Sequence, residues 1–421
     1  MGIILKKLIL LLVIPFAIGC TEDIIYQEVV EGGEVGIPGI PGETIVKVED
    51  DSLTYFNIKH YGATGDGNTD DTKAIQEAIN ACIQAHGKLI IPAPDNFYKI
   101  TNTLNIEPKA PDIQVWMHVE GWGNRNFQIV YMGPSGKPAV KIIGLKGGII
   151  EGMRVRIAHG INNVQCFDIG TSLQANSTSA FSFVNCDAEL GDGINNKGWR
   201  LGYIDAGGGA DISQIVWNNC TAWGQEGKIT PGQVGYENTG HNTLQLTWIG
   251  SGSVFCDRGV VATAGGSQFF FGYGASHNGT DFYISTSNQF SIYGGRFEVG
   301  KTFLQVTPAS SHPSITISNS IISEYAPDNG RLIDFNRTGT LILDGVKIEN
   351  ANGRNHGANM IWLGGTTGQG NLHVRGGAFH SSDPFFTVET AGRWRLKVED
   401  VGKLNANYES ETYFANRTTT N

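Results

Sequence analysis

The chain has 421 residues, 40% of them hydrophobic, with 57 glycines and a net charge of −10. That length holds one large β-rich domain or two to three ordinary ones, with ample apolar material for a core. The acidic balance, with no Lys/Arg run after the leader, argues against nucleic acid as a partner and gives no attraction to anionic polymers.

Residues 1–20, MGIILKKLILLLVIPFAIGC, read as a secretory leader, with Lys6 and Lys7 ahead of an apolar run from Leu8 to Phe16. The run is short for a membrane span. It ends on Ala17-Ile18-Gly19-Cys20, which resembles the lipobox of bacterial lipoproteins, and the resemblance implies that Cys20 is the lipidated first mature residue. Thr21-Glu22-Asp23 is similar to the acidic tract that sends some lipoproteins to the cell surface, so a lipid-anchored outer-membrane or surface location is expected. Residues 21–54 form a polar, acidic tether. Within it Gly36–Thr44 makes three Gly-X-Y triplets, too few to hold a triple helix alone. An extended spacer is the expected reading and a trimerising stub the alternative, which leaves monomer or homotrimer open. Cys82, Cys166, Cys186, Cys220 and Cys256 are odd in number and include no CxxC, so neither a zinc site nor a dense disulfide scaffold is indicated.

From Leu53 the character changes. Ala74, Ile75, Ala78, Ile79 and Cys82 follow the spacing of an amphipathic helix. Asp70 and Asp71 stand at its start, where carboxylates accept unpaired helix N–H groups and offset the dipole. Gly87 is the expected stop. Lys88–Ala93 and Phe97–Thr101 read as short strands. The cluster Asp66, Asp70 and Asp71 is thus assigned to the fold rather than to chemistry.

Beyond residue 101 one element recurs: apolar-x-apolar-x, then Gly, Asn or Asp, then a small or apolar residue. Examples are IIEGMR (149–154), FSFVNCDA (181–188), IVWNNCTA (215–222), FSIYGGRF (290–297) and LILDGVKI (341–348). The punctuating residues are Gly121, Gly152, Asn185, Asn219, Gly272, Gly294, Asn319, Gly345, Gly376 and Asp400, and the long gap after Asn219 fits two coils around LQLTWIG (244–250). Alternation buries one face of each strand, and Gly or Asn supplies a left-handed bend before the next side. No coil buries its face alone, so the reading is an all-β solenoid of stacked coils. Cys186 and Cys220 share one place in the repeat and are expected as stacked, reduced core residues.

Phe56–Thr101, FNIKHYGATGDGNTDDTKAIQEAINAC…GKLIIPAPDNFYKIT, closely resembles the N-terminal signature of the pectate lyase-like, right-handed parallel β-helix superfamily, whose members include polygalacturonases, rhamnogalacturonases, mannuronan epimerases and phage tailspikes. The resemblance implies a right-handed parallel β-helix over 55–405, with an N-terminal cap (55–101) whose helix covers the open end, and a C-terminal tail over 406–421. It implies no particular active site. The polygalacturonase pattern needs Asn-Thr-Asp, Asp-Asp, Gly-His-Gly and Arg-x-Lys on successive coils. Here Asp-Asp occurs only at 50–51 and 70–71, ahead of the repeats, and Gly-His-Gly is absent. No aspartate cluster of the pectate lyase type supports calcium, so no cofactor is expected. The scaffold serves unlike functions. The leading expectation is a surface-anchored protein that cleaves a polysaccharide, as hydrolase or lyase. The alternative is a noncatalytic glycan-binding or tailspike-like receptor-binding protein. A mannuronan-type epimerase would be expected to need a more basic groove.

Two consecutive coils are enlarged, and their excursions, 187–211 and 221–242, are expected to project from one side. They carry the candidate site. Glu226, Tyr236, Glu237 and His241 are the first catalytic choices because they cluster in one loop, with Asp187, Asp192 and Asp211 as partners. Trp199, Arg200, Tyr203 and Trp223 are the candidate substrate-binding residues, the tryptophans offering flat faces to sugar rings. Glycoside hydrolysis needs two carboxylates flanking the bond, whereas a lyase or epimerase needs a base beside a group that neutralises a uronate. A second excursion, 350–371, carries Arg354 and His356. The remaining histidines show no metal-ligand spacing.

Overall fold

The structure, a computed structural model, describes residues 54–108, 115–122, 128–171, 177–203, 211–240, 242–309, 312–328, 330–349, 360–365, 368–379, 386–389, 393–399 and 401–403. The chain divides into Met1–Asp51 and Ser52–Asn421. Cys20, the Gly-X-Y triplets, His241, Arg354, His356 and the C-terminal tail lie outside the described residues.

In the second unit each turn of chain lays down three short strands, one in each of three parallel sheets named A, B and C here. A typical coil places Ser182–Val184 in sheet A, Asp187–Glu189 in sheet B and Lys197–Tyr203 in sheet C, then returns to sheet A at Val216–Asn218. Successive coils stack in register, with Phe183 on Trp217, Ala188 on Ala222 and Trp199 on Tyr236. This is the right-handed parallel β-helix that the resemblance implied.

Alternation along each strand sends one set of side chains inward, and parallel stacking then piles like on like. In sheet A the inward Trp217, Trp248 and Phe270 stack face to face, with centroids 4.7 and 4.4 Å apart. Offset aromatic stacks of this kind add about 1 kcal/mol per pair to the area they bury.

From Gly152 to Gly376 the bend between sheets A and B is left-handed on every described coil. Gly152, Asn185, Asn219, Gly250, Gly272, Gly294, Asn319, Gly345 and Gly376 have φ between +49° and +65°, the region where Gly and Asn meet least resistance. Gly250 marks the coil concealed in the long gap. Gly121 differs: its φ is not left-handed, and it ends the strand Val115–Gly121 where a Cβ would lie 2.5 Å from the Gly152 carbonyl oxygen. One residue past the bend, Cys186 and Cys220 point into the core as free thiols.

The first coils are covered by the helix α1 (Thr72–Ala85), whose Ile75, Ala78, Ile79, Cys82 and Ile83 join the core. The three aspartates are structural, by means that differ in part from simple capping. Asp71 occupies the N-cap position but makes no capping hydrogen bond; its carboxylate accepts the N–H groups of Thr64 (2.7 Å) and Gly65 (3.1 Å) and ties down the preceding turn. Asp70 takes the Thr72 N–H at 3.1 Å, and Asp66 those of Asn68 and Thr69 at 2.8 and 2.7 Å. The left-handed helix stop falls on His86 (φ +51°). Gly87 is needed for space, since a Cβ there would meet the Thr54 carbonyl oxygen at 2.3 Å.

Candidate functional site

The stretches 187–211 and 221–242 are not loops that leave the solenoid on one side. Each contains a regular strand of sheet B (Asp187–Glu189, Thr221–Trp223) and one of sheet C (Lys197–Tyr203, Val234–Asn238), so their acids and aromatics fall on different faces. Among the described residues the extra length comes from long turns between sheets B and C, ten residues between Trp223 and Val234 against three between Val254 and Arg258, and from a side ladder, Ser177–Ser179, Asp211–Ser213 and Thr243–Leu244, inserted between sheets C and A.

Two candidates belong to the core. Trp199 and Tyr236 sit at inward positions of adjacent rungs, 0% and 1% exposed, with rings stacked at 4.8 Å and 6°. The Tyr236 hydroxyl donates to the Cys220 carbonyl at 2.7 Å, and burial pushes its pKa well above the usual tyrosine value. Neither side chain can meet a substrate. Both lie on strands and not in loops, and strand alternation puts them inside.

The residues next to them point outward. Asn105, Lys141, Asp168, Arg200 and Glu237 are register partners on five successive rungs of sheet C. Arg200 donates from Nη1 to Asp168 Oδ1 at 2.9 Å, and its Nε lies 3.9 Å from Glu237 Oε2. Lys197 donates to the other oxygen of Glu237, and Lys141 lies 3.1 Å from Glu107. Asp168 is 4% exposed. Burial raises its pKa above the usual aspartate value, with Arg200 and Lys141 only partly offsetting that cost. The outward row continues through Val261, Tyr283 and Gln305, and the Arg258 guanidinium lies 4.0 Å from the Tyr283 ring centre.

Both borders of this face carry further candidates. On the side-ladder border Tyr203 ends its strand, and Asp211 begins the Asp211–Ser213 strand, its carboxylate taking the Asn242 side-chain amide. Thr178 and Thr243 of the ladder tie it to sheet C, donating to the Gly170 carbonyl at 2.6 Å and the Asn238 side chain at 2.8 Å. On the turns from sheet B to sheet C, Asp192 accepts the Gly160 N–H at 2.7 Å, which lowers its pKa, and faces His159 Nδ1 at 3.5 Å. Glu226 stands exposed on the neighbouring turn. Asp187 and Trp223 belong to sheet B, a separate face.

Asp168 and Lys141 escaped the sequence reading. The signal was present as a second repeat, Val-Lys-Ile, Phe-Asp-Ile, Trp-Arg-Leu and Tyr-Glu-Asn at 140–142, 167–169, 199–201 and 236–238, each an outward polar residue between inward ones.

The family described as "Rhamnogalacturonase A/epimerase, pectate lyase-like" matches residues 55–109. The capsule KN3-specific Depolymerase 1 of Klebsiella phage KN3-1 is 32% identical over 108 residues, 24% of this chain and 14% of that protein. A mannuronan C5-epimerase of Azotobacter vinelandii is 30% identical over 159 residues, 37% of this chain and 7% of that protein. The chain therefore spans a small part of the length of these relatives. Among solved structures, the tailspike of Acinetobacter phage vb_AbaP_AS12 covers 84% of this chain and 63% of its own at a TM-score of 0.53 and 11% identity, a likeness of fold. That N-terminal signature runs directly into a three-sheet parallel solenoid, so the chain is similar to the pectate lyase-like family over residues 55–109 and has the fold of a right-handed parallel β-helix.

Proposed function

We propose that the protein is a polysaccharide-cleaving enzyme that uses the outward face of sheet C, with Asp168 and Glu237 as its carboxyl pair. The observation that carries this reading is the Asp168–Arg200–Glu237 ladder, set in the coils whose connections are enlarged. Asp168, its pKa raised by burial, suits a proton donor to a leaving oxygen. Glu237, held by Lys197 and facing Arg200, suits the ionised partner. Arg200 holds both in place. The row extends over several rungs of about 4.8 Å each, which fits an extended chain of sugars better than a single one.

Hydrolysis is favoured over elimination because each cation of the ladder already faces a carboxylate: Lys141 with Glu107, Lys197 with Glu237, Arg200 with Asp168. A lyase or epimerase would need one of them for a uronate. The relatives named above, a depolymerase and an epimerase, support a carbohydrate-active role. Export through the leader and lipidation at Cys20 would hold the enzyme at the cell surface, where polymer is first met.

The test is a panel of plant, algal and microbial polysaccharides, with reducing ends and unsaturated products scored separately. Reducing ends alone are expected, falling at least a hundredfold in Asp168→Asn and Glu237→Gln. Activity should also decline as pH rises through the pKa of Asp168, since the donor is then lost. Full activity in both variants would remove the site from sheet C, and unsaturated products would replace hydrolysis by elimination.

A further inference from the structure

We propose that sheet B carries a second saccharide-binding site, for an uncharged glycan, formed by Arg154, Arg156, Asp187, Glu189 and Trp223. The inference does not depend on which face cleaves polymer.

These residues occupy three successive rungs in two columns. Arg154, Asp187 and Thr221 are register partners in one, and Arg156, Glu189 and Trp223 in the other. Rungs lie about 4.8 Å apart and alternate residues along a strand about 6.6 Å, so the patch matches one sugar ring with its hydroxyls. Arg154 Nε lies 3.3 Å from Asp187 Oδ2, and Arg156 Nη2 lies 2.9 Å from Glu189 Oε1. The four charged groups are thus paired and sum to zero. An ionic ligand would have to displace one of its own sign. A hydroxyl can donate to a carboxylate and accept from a guanidinium at once, leaving both pairs intact.

Trp223 closes the second column with an indole that is 40% exposed. Its partner on the next rung is Val254, followed by Ser276, so no ring beyond it in this column competes for its far face. On sheet B, an apolar ring beside paired polar groups is the combination that orients a saccharide. Burial raises the pKa of both Asp187 and Glu189, Arg154 and Arg156 being the main counterweights, as expected for carboxyls held against the sheet and short of water.

The test is native electrophoresis of the full chain in gels containing xylan, galactan, a mixed-linkage β-glucan or polygalacturonate, with thermal melts confirming the fold of each variant. At least one neutral polymer is expected to retard the wild-type protein. Trp223→Ala and Glu189→Gln should each weaken that retardation at least tenfold, while Asp168→Asn and Glu237→Gln leave it unchanged. The proposal is overturned if no neutral polymer retards the protein, if polygalacturonate alone does so, or if the sheet B variants migrate as wild type. Loss of retardation in the sheet C variants instead would place binding on the other face and also overturn it.

Discussion

Arg200 bridges two carboxylates on either side of its own rung, donating to Asp168 at 2.9 Å and facing Glu237 at 3.9 Å. With Asp168 and Glu237 largely covered, the guanidinium is what allows both acids to stay on this face. Above the pKa of Asp168, where that carboxyl is ionised, Arg200→Met should therefore cost about 3 kcal/mol, the usual penalty for leaving a buried charge unpaired. Asp168→Leu combined with Arg200→Met should recover most of that loss. Denaturant melts of the two single variants and the double variant measure the coupling; simple additivity would show that the pair is not coupled.

Asp281 is a buried acid that the proposed site does not use. It accepts the Asn278 side-chain amide at 3.0 Å and the Tyr325 hydroxyl, and burial lifts its pKa from 3.8 to about 7. Because the folded state holds this proton more tightly than the unfolded state, stability from this group is greatest below pH 4. It declines as pH rises from 4 to 7 and is level above. A rise of that size corresponds to about 4 kcal/mol. Asp281→Asn should flatten the pH dependence of the melting temperature across that window. An unchanged slope would mean that Asp281 is ionised in the fold.

Tyr236 offers a direct check on its reassignment to the core. Tyr236→Phe removes the hydrogen bond to the Cys220 carbonyl and should cost about 1 kcal/mol while leaving turnover intact. A hundredfold loss of activity with normal stability would return Tyr236 to the catalytic set.

Val299 has φ +57°, at the bend between sheets B and C that Phe255, His277 and Glu324 occupy on other coils. A β-branched residue is the least suited to that conformation. Val299→Asn, the residue type used at the neighbouring bend, should raise stability by about 1 kcal/mol. Calorimetry decides the sign.

The scaffold was legible because its signals are local and repeated. Gly or Asn at the A–B bend recurs since few residues tolerate a left-handed φ, and the gap after Asn219 could be divided at Gly250 from the strand pattern beside it. The site was less legible. Reading 187–211 and 221–242 as loops hid the alternation that sends Trp199 and Tyr236 inward and Arg200 and Glu237 outward. It also hid the insertion of the side ladder, which accounts for part of the added length. Asp168 was missed because its partners lie one and two coils away and nothing local marks a lone aspartate between Phe167 and Ile169.

By itself the sequence determined the solenoid, the helix over its first coils, the structural use of Asp66, Asp70 and Asp71, and the stacking of Cys186 with Cys220. The helix and the aspartates rest on local spacing, the helix's place over the first coils on the resemblance of Phe56–Thr101, and the solenoid and the cysteine pair on one motif recurring from coil to coil. Only the tertiary structure decided which charged groups meet. Neighbours in a parallel β-helix are about thirty residues apart in the chain but one hydrogen-bonded rung, about 4.8 Å, apart in space, and a single residue's change of parity moves a side chain from the face to the core.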